Sequence, residues 1–230
     1  MASAAQLDLI RTLSGGQSFR WMQEQGVWYG VVAKKAFALR SLDNVVSFRA
    51  DSDNIEATTA QLRDYFRLGD SLEELSETWS AVCPRFHRCR QQLPSGVRLL
   101  RQDPTETLFA FICSSNNNVS RISRMMNALC ERFGTSVVCV DGPVLYTFPA
   151  IERLAQDDVA DILRNLGFGY RAKYVHETAR LLWNEHAQGA EAFLSRLRLM
   201  CYPEARQHLL KFSGVGPKVA DCIVLLLVCL

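Results

Sequence analysis

From Ser18 to Ala50 the apolar positions fall in short runs broken by turn residues, and from Asp53 onward they recur every three or four positions. The first pattern predicts strands. Ser18–Trp21, Val27–Val32, Phe37–Arg40 and Val45–Phe48 are rich in aromatic and β-branched side chains, with Gln25-Gly26 and Leu42-Asp43-Asn44 between them, as in an antiparallel meander. The second pattern predicts helices. Ile55, Leu62, Tyr65 and Phe66 share one stripe, and Asp70-Ser71 ahead of Leu72, Leu75 and Trp79 reads as an N-cap and a further helix.

The strongest start signal is Asp103-Pro104-Thr105-Glu106. A cap residue precedes Pro at the first helical position, and Glu stands three residues after the Asp. The domain boundary is placed there, with a sheet domain over 1–102 carrying flanking helices and an all-α domain over 103–230, so the fold class is α+β. Helices are expected over 119–133, 151–166, 171–186, 190–200, 203–212 and from 217 onward. The last of these is apolar on every side from Ile223 to Val228 and carries no stop signal before Leu230. Such a helix needs neighbours on all faces, so the sequence reads as truncated and its helical domain as incomplete.

Composition narrows the classes without choosing one. The 230 residues are 48% hydrophobic and 22% charged, enough for one large core or two small ones, and the net charge of +2 is too small to announce a nucleic-acid partner. The eight cysteines (Cys83, Cys89, Cys113, Cys130, Cys139, Cys201, Cys222, Cys229) form no CxxC pair and read as reduced, mostly packed thiols. Cys83, His87 and Cys89 lack zinc spacing and a second ligand pair, so no zinc is expected. The N-terminus shows no signal or transit peptide, and the apolar run from Cys222 to Leu230 is too short for a membrane span.

The segment Leu209 to Cys222 carries candidate chemistry. One helix ends, Gly214 and Gly216 flank Val215 in a tight turn, and Pro217 starts another helix. In a helix-hairpin-helix those glycines admit a DNA backbone, and the amides at the second helix's N-terminus hold a phosphate oxygen; the plain alternative is an αα turn. Backbone contacts of this kind give affinity without sequence choice. Lys218 lies in the first turn of that helix, where the dipole disfavours an ammonium and favours a nucleophilic amine; otherwise it is a solvated or phosphate-contacting lysine. Asp221, three residues on, is placed to pair with Lys218, either as general base or as a dipole partner.

Five blocks together resemble the eukaryotic 8-oxoguanine DNA glycosylases: Gly16–Trp21, Gly96–Pro104, Phe111–Asn118, Gly167–Ala172 and Gly214–Cys222, in family order. The resemblance implies a helix-hairpin-helix glycosylase with AP-lyase activity, acting on double-stranded DNA that carries oxidised guanine opposite cytosine. It implies that Lys218 attacks the sugar and forms a Schiff base. Asn116 then fills the gap left by the everted nucleotide, Tyr170 wedges the step beside it, and Arg121 and Arg171 hydrogen-bond the orphaned cytosine. Asn116 to Asn118 remain good turn and cap residues in their own right, and Tyr170 a possible core residue. The Gly16 carbonyl would accept the N7 hydrogen that distinguishes the oxidised base, and Cys222 would stack on it.

The resemblance further implies a monovalent cation on the backbone of Leu210, Phe212 and Val215, no iron–sulfur cluster, no membrane partner, a monomer, and a nuclear or mitochondrial address. Family members continue past this helix to an Asp that activates the lysine and to further pocket residues, none of which stands in this sequence. A chain that binds damaged DNA without cutting it is therefore the alternative expectation.

Overall fold

The computed structural model describes residues 1–3, 5–186 and 189–227. Val228, Cys229 and Leu230, the end of the expected last helix, lie outside the described residues. The N-terminal sheet is antiparallel, with β1 (Ala2–Ser3), β2 (Met22–Glu24), β3 (Val27–Val32), β4 (Lys35–Leu42) and β5 (Val45–Arg49) in the order β1-β5-β4-β3-β2. Three two-residue turns join the last four strands, and all six turn residues have positive φ, as hairpins of this twist require: Gln25-Gly26, Ala33-Lys34 and Asp43-Asn44. The sequence signals two of these. Ala33-Lys34 is silent because neither residue favours that conformation. The first expected strand, Ser18–Trp21, instead starts at Met22, and residues 18–20 turn inward.

One face of the sheet buries Trp28, Val32, Phe37, Leu39 and Val46 against Leu9 and Leu13 of α1 (Leu9–Ser14), Leu62 and Tyr65 of α2 (Ile55–Tyr65), and Phe66. Ile55, at the start of α2, is exposed rather than part of that stripe. The other face is covered from the helical half. There β6 (Ser136–Val138) and β7 (Val144–Tyr146) form a ribbon whose Leu145, with Cys139 in its loop, packs on Ala36 and Ala38. α3 (Leu72–Val82) and α4 (Pro84–Cys89) bury no residue; Ser71 caps α3 as expected, and Trp79 stacks edge-on to Phe86.

The helical half is built around α5 (Pro104–Ile112), which is buried along almost its whole length and capped by Asp103. Around it stand α6 (Val119–Phe133), α9 (Arg171–Glu185), α10 (Ala190–Arg196) and α12 (Pro217–Leu227). The helix expected over 151–166 is two, α7 (Ile151–Leu154) and α8 (Val159–Asn165). Arg153 folds back onto Asp158 through two bonds of 2.9 Å and closes the break. α11 (Tyr202–Leu209) ends earlier than expected, and a 3₁₀ turn at Leu197–Leu199 finishes the segment after α10. Helix α12 finds cover for Ile223, Val224, Leu226 and Leu227; among the described residues of its apolar run only Leu225 is exposed. Among the described residues no helix is long and apolar enough to cross a membrane.

Burial pushes the thiols of Cys113 and Cys130 up to about 12, so both stay protonated and inert. Cys83 and Cys201 are exposed. Iodoacetamide at about pH 8 is expected to label Cys83 and Cys201 in the folded chain and to reach Cys113 and Cys130 only after denaturation, read by peptide mass mapping.

Candidate nucleic-acid interface

The end of α5 and the start of α6 are joined by a turn that the sequence builds from its own polar side chains. Ser114 Oγ donates to Phe111 O at 2.7 Å, Asn117 Nδ2 donates to Cys113 O at 2.9 Å, and Asn118 caps α6 by accepting from Arg121 N at 3.0 Å. Asn116 stands at the exposed apex with φ +48°, a left-handed conformation that Asn tolerates better than most residues. Two readings of these asparagines were open: turn and cap residues, or a filler for a vacated step. Asn117 and Asn118 serve the turn and cap, and Asn116 is left facing solvent.

The first turn of α9 meets this apex. Tyr170, half-exposed, donates its hydroxyl to Ser115 O at 3.1 Å and packs edge-on to Tyr174 one turn later. Arg171 is only 2% exposed. Its Nε donates to Ser115 O at 3.2 Å, and its Nη2 donates to the same oxygen and, at 2.9 Å, to Asn116 O. Arg121 lies open, with one bond of 3.3 Å to Gly167 O. The resemblance assigns both arginines the same task; the structure separates them, since Arg171 is buried with three bonds to protein carbonyls and Arg121 is exposed with a single bond of 3.3 Å.

The helix-hairpin-helix forms between α11 and α12. Phe212 O accepts from Val215 N at 3.1 Å, closing the turn, and Val215 is buried. Gly214 has φ +82°, and a Cβ there would stand 2.7 Å from the Tyr174 ring, whereas a Cβ on Gly216 would meet nothing within 4 Å. So Gly214 is needed by the protein's own packing, and Gly216 leaves open the space a backbone would enter. Helix α9 also fastens this turn: Ser213 Oγ donates to Glu177 at 2.8 Å, and Thr178 Oγ1 donates to Ser213 O at 3.2 Å.

Ser115, Tyr170, Tyr174, Gly214, Val215 and Gly216 therefore line one open surface depression, gathered from three distant stretches of sequence. Ser115, Tyr174, Ser213 and Glu177 were missed by sequence reasoning. Only Tyr174 had a signal, its i+4 spacing from Tyr170.

Lys218 is the second residue of α12, exposed and without a bonded partner among the described residues. The expected pairing with Asp221 is not made. Asp221 instead accepts from Arg206 Nε at 2.7 Å and Tyr202 Oη at 2.8 Å, which hold its carboxyl below the usual range. Those partners lie on α11, so Asp221 ties the two helices of the hairpin together. Cys222 is half-buried against the helical core, and Gly16 sits with Val119 of α6 at 3.6 Å from its Cβ direction. Lys218, Gly16 and Cys222 lie outside the lining of the depression.

Gly214→Ala and Gly216→Ala should separate the two glycines. The first forces a side chain into a left-handed backbone at roughly 1–2 kcal/mol and displaces Tyr174, so a fall in Tm of several degrees is expected together with weaker DNA binding. The second should leave Tm unchanged and weaken DNA binding alone, as measured by thermal melts and gel shift.

Residues 1–108 match the family described as 8-oxoguanine DNA glycosylase, N-terminal domain, and residues 109–218 match the HhH-GPD superfamily base excision DNA repair protein family. The chain is 39% identical over 242 residues to the N-glycosylase/DNA lyase of Saccharomyces cerevisiae, across 96% of this chain and 63% of that protein. Its fold is similar to that of MBOgg1 in complex with a low affinity DNA ligand, with a TM-score of 0.84 and 30% identity over 99% of this chain and 74% of that one. It is similar also to the Clostridium acetobutylicum 8-oxoguanine glycosylase/lyase bound to double-stranded DNA with cytosine opposite to 8-oxoG, at a TM-score of 0.84 and 29% identity over 97% and 74% of the two chains. The chain spans 63% and 60% of the length of the curated relatives it matches.

Proposed function

The chain belongs to the 8-oxoguanine DNA glycosylase family within the HhH-GPD superfamily, and from that premise we propose that it binds double-stranded DNA at an oxidised guanine opposite cytosine and excises the base through Lys218. One observation carries the reading: the Asn116 turn, the first turn of α9 and the hairpin surround one depression, and an exposed lysine with no partner among the described residues follows the hairpin by two residues. The hairpin amides hold a backbone phosphate. Asn116 and Tyr170 fill and wedge the step vacated by the everted nucleotide, and Arg121, exposed and held by a single bond to Gly167 O, reads the orphaned cytosine. The Gly16 carbonyl and Cys222 meet the base.

In the chemical step the Lys218 lone pair forms a bond to C1′, and the bond from C1′ to the base breaks, its electrons leaving with the base, which takes up the amine proton. The sugar ring opens to a protonated Schiff base. Loss of a C2′ proton then expels the 3′ phosphate and nicks the strand, and water returns the lysine. For the monovalent cation, the Phe212 carbonyl keeps a second lone pair beyond its bond to Val215 N; with Leu210 and Val215 it would hold the ion and strengthen the phosphate contact. The reading implies a compartment that holds DNA, the nucleus or the mitochondrion.

A second reading, binding without cutting, is favoured by Asp221, whose carboxylate is engaged by Arg206 and Tyr202 rather than by Lys218. Incubation with an 8-oxoguanine:cytosine duplex and borohydride separates the two. A trapped adduct supports excision; a gel shift without adduct supports the grip alone. Neither shift nor adduct removes both.

A further inference from the structure

Arg171 is among the most buried charged residues of the chain, and it spends its hydrogen bonds on protein. Its Nε and Nη2 converge on Ser115 O, which also accepts from Tyr170 Oη, and Nη2 reaches Asn116 O as well. The guanidinium lies over the Tyr170 ring, 4.5 Å from its centre. Both carbonyls belong to the apex at which Asn116 is held with φ +48°. A residue other than glycine in that conformation persists where its surroundings over-determine it. Here the over-determining group is a buried guanidinium with a fixed fork of donors.

We propose that Arg171 is a positioning residue: it clamps the Ser115–Asn116 carbonyls and so presets the Asn116 wedge before DNA arrives, whatever base stands opposite the lesion. The proposal rests on the reading that Asn116 enters the duplex. It assigns Arg171 a task in the free protein that a pure cytosine contact does not have. Preorganising the turn removes an ordering cost from the binding step.

The test compares 8-oxoguanine placed opposite cytosine with 8-oxoguanine placed opposite a stable abasic analogue, which offers no base to read. Arg171→Gln is expected to weaken binding at least about tenfold on both duplexes, and to add nothing further once Asn116→Gly has removed the wedge. In the free protein, amides of Ser115 to Asn117 should exchange with solvent about tenfold faster in Arg171→Gln while those of α12 stay unchanged. This second measurement needs no DNA, and it also detects a variant that is merely unfolded. A loss confined to the cytosine duplex, full additivity with Asn116→Gly, or unchanged exchange at the turn would each overturn the clamp. If the parent chain does not prefer the damaged duplex over an undamaged one, the functional reading itself fails and the clamp with it.

Discussion

Lys218→Gln is expected to bind the 8-oxoguanine:cytosine duplex within about threefold of the parent and to yield no borohydride-trapped adduct, because an amide supplies no lone pair able to form the C1′–N bond. The structure predicts that binding survives. The Lys218 side chain is exposed and makes no bond that holds α12 or the hairpin in place, so the phosphate site keeps its geometry. Asp221→Asn is the sharper control. Were Asp221 the base for Lys218, the change would abolish the adduct as well. Its carboxylate lies instead on Arg206 and Tyr202, and an Asn retains an acceptor for both. The Arg206 pair is also substantially solvated, the regime in which an ion pair contributes little. The adduct should therefore form in Asp221→Asn wherever it forms in the parent. Adduct from Lys218→Gln, or its loss in Asp221→Asn with an unchanged Tm, would move the nucleophile or the base elsewhere.

Asp221 also shows where sequence ceased to inform. The spacing of Lys218 and Asp221 fits a pair on one helix face, and that local geometry is real; what decides the partner is α11, whose Tyr202 and Arg206 arrive only when the hairpin closes. Arg171 is the same case, since its burial depends on a turn 55 residues earlier in the chain. Features set by neighbours in sequence were legible. α6 spans Val119–Phe133 as expected, the caps at Ser71, Asp103 and Asn118 accept the predicted amides, and the hairpin glycines sit in the turn. The ribbon of β6 and β7 was not legible because strands of three residues are too short for alternation to register, and three of their valines or neighbours, Val138, Val140 and Val144, face solvent.

The seam between the two halves yields the largest stability effect. Arg20, which precedes β2, donates from Nη1 to Glu106 at 2.7 Å in the first turn of α5, and from Nη2 to Tyr146 O in β7, so one side chain joins sheet, helix and ribbon. Its Nε is buried without a bonded partner among the described residues, and the carboxyl of Glu106 is pushed up by burial, with Arg20 drawing it part of the way back. Removing one partner of such a pair leaves an uncompensated buried charge, at about 3–5 kcal/mol. The two single variants should nevertheless differ with pH. In Glu106→Ala the stranded group is a guanidinium that cannot release its proton, while the parent gives up the stability tied to its raised Glu106 pKa as pH climbs, so the loss is at least as large at about pH 5 as at about pH 8. In Arg20→Ala the stranded group is a carboxyl whose folded-state pKa, already raised, rises further. Below the ordinary carboxylate range it is neutral in both the folded and the unfolded chain and adds no penalty; as pH climbs toward the raised folded value the unfolded chain releases a proton that the folded chain keeps, and the penalty grows. Denaturant unfolding should therefore find Arg20→Ala markedly less destabilised at about pH 5 than at about pH 8, and Glu106→Ala no more destabilised at about pH 8 than at about pH 5. The double variant Arg20→Met, Glu106→Leu should lose less than either single change, since it strands no charge; full additivity of the two losses would mean that the pair does not hold the seam.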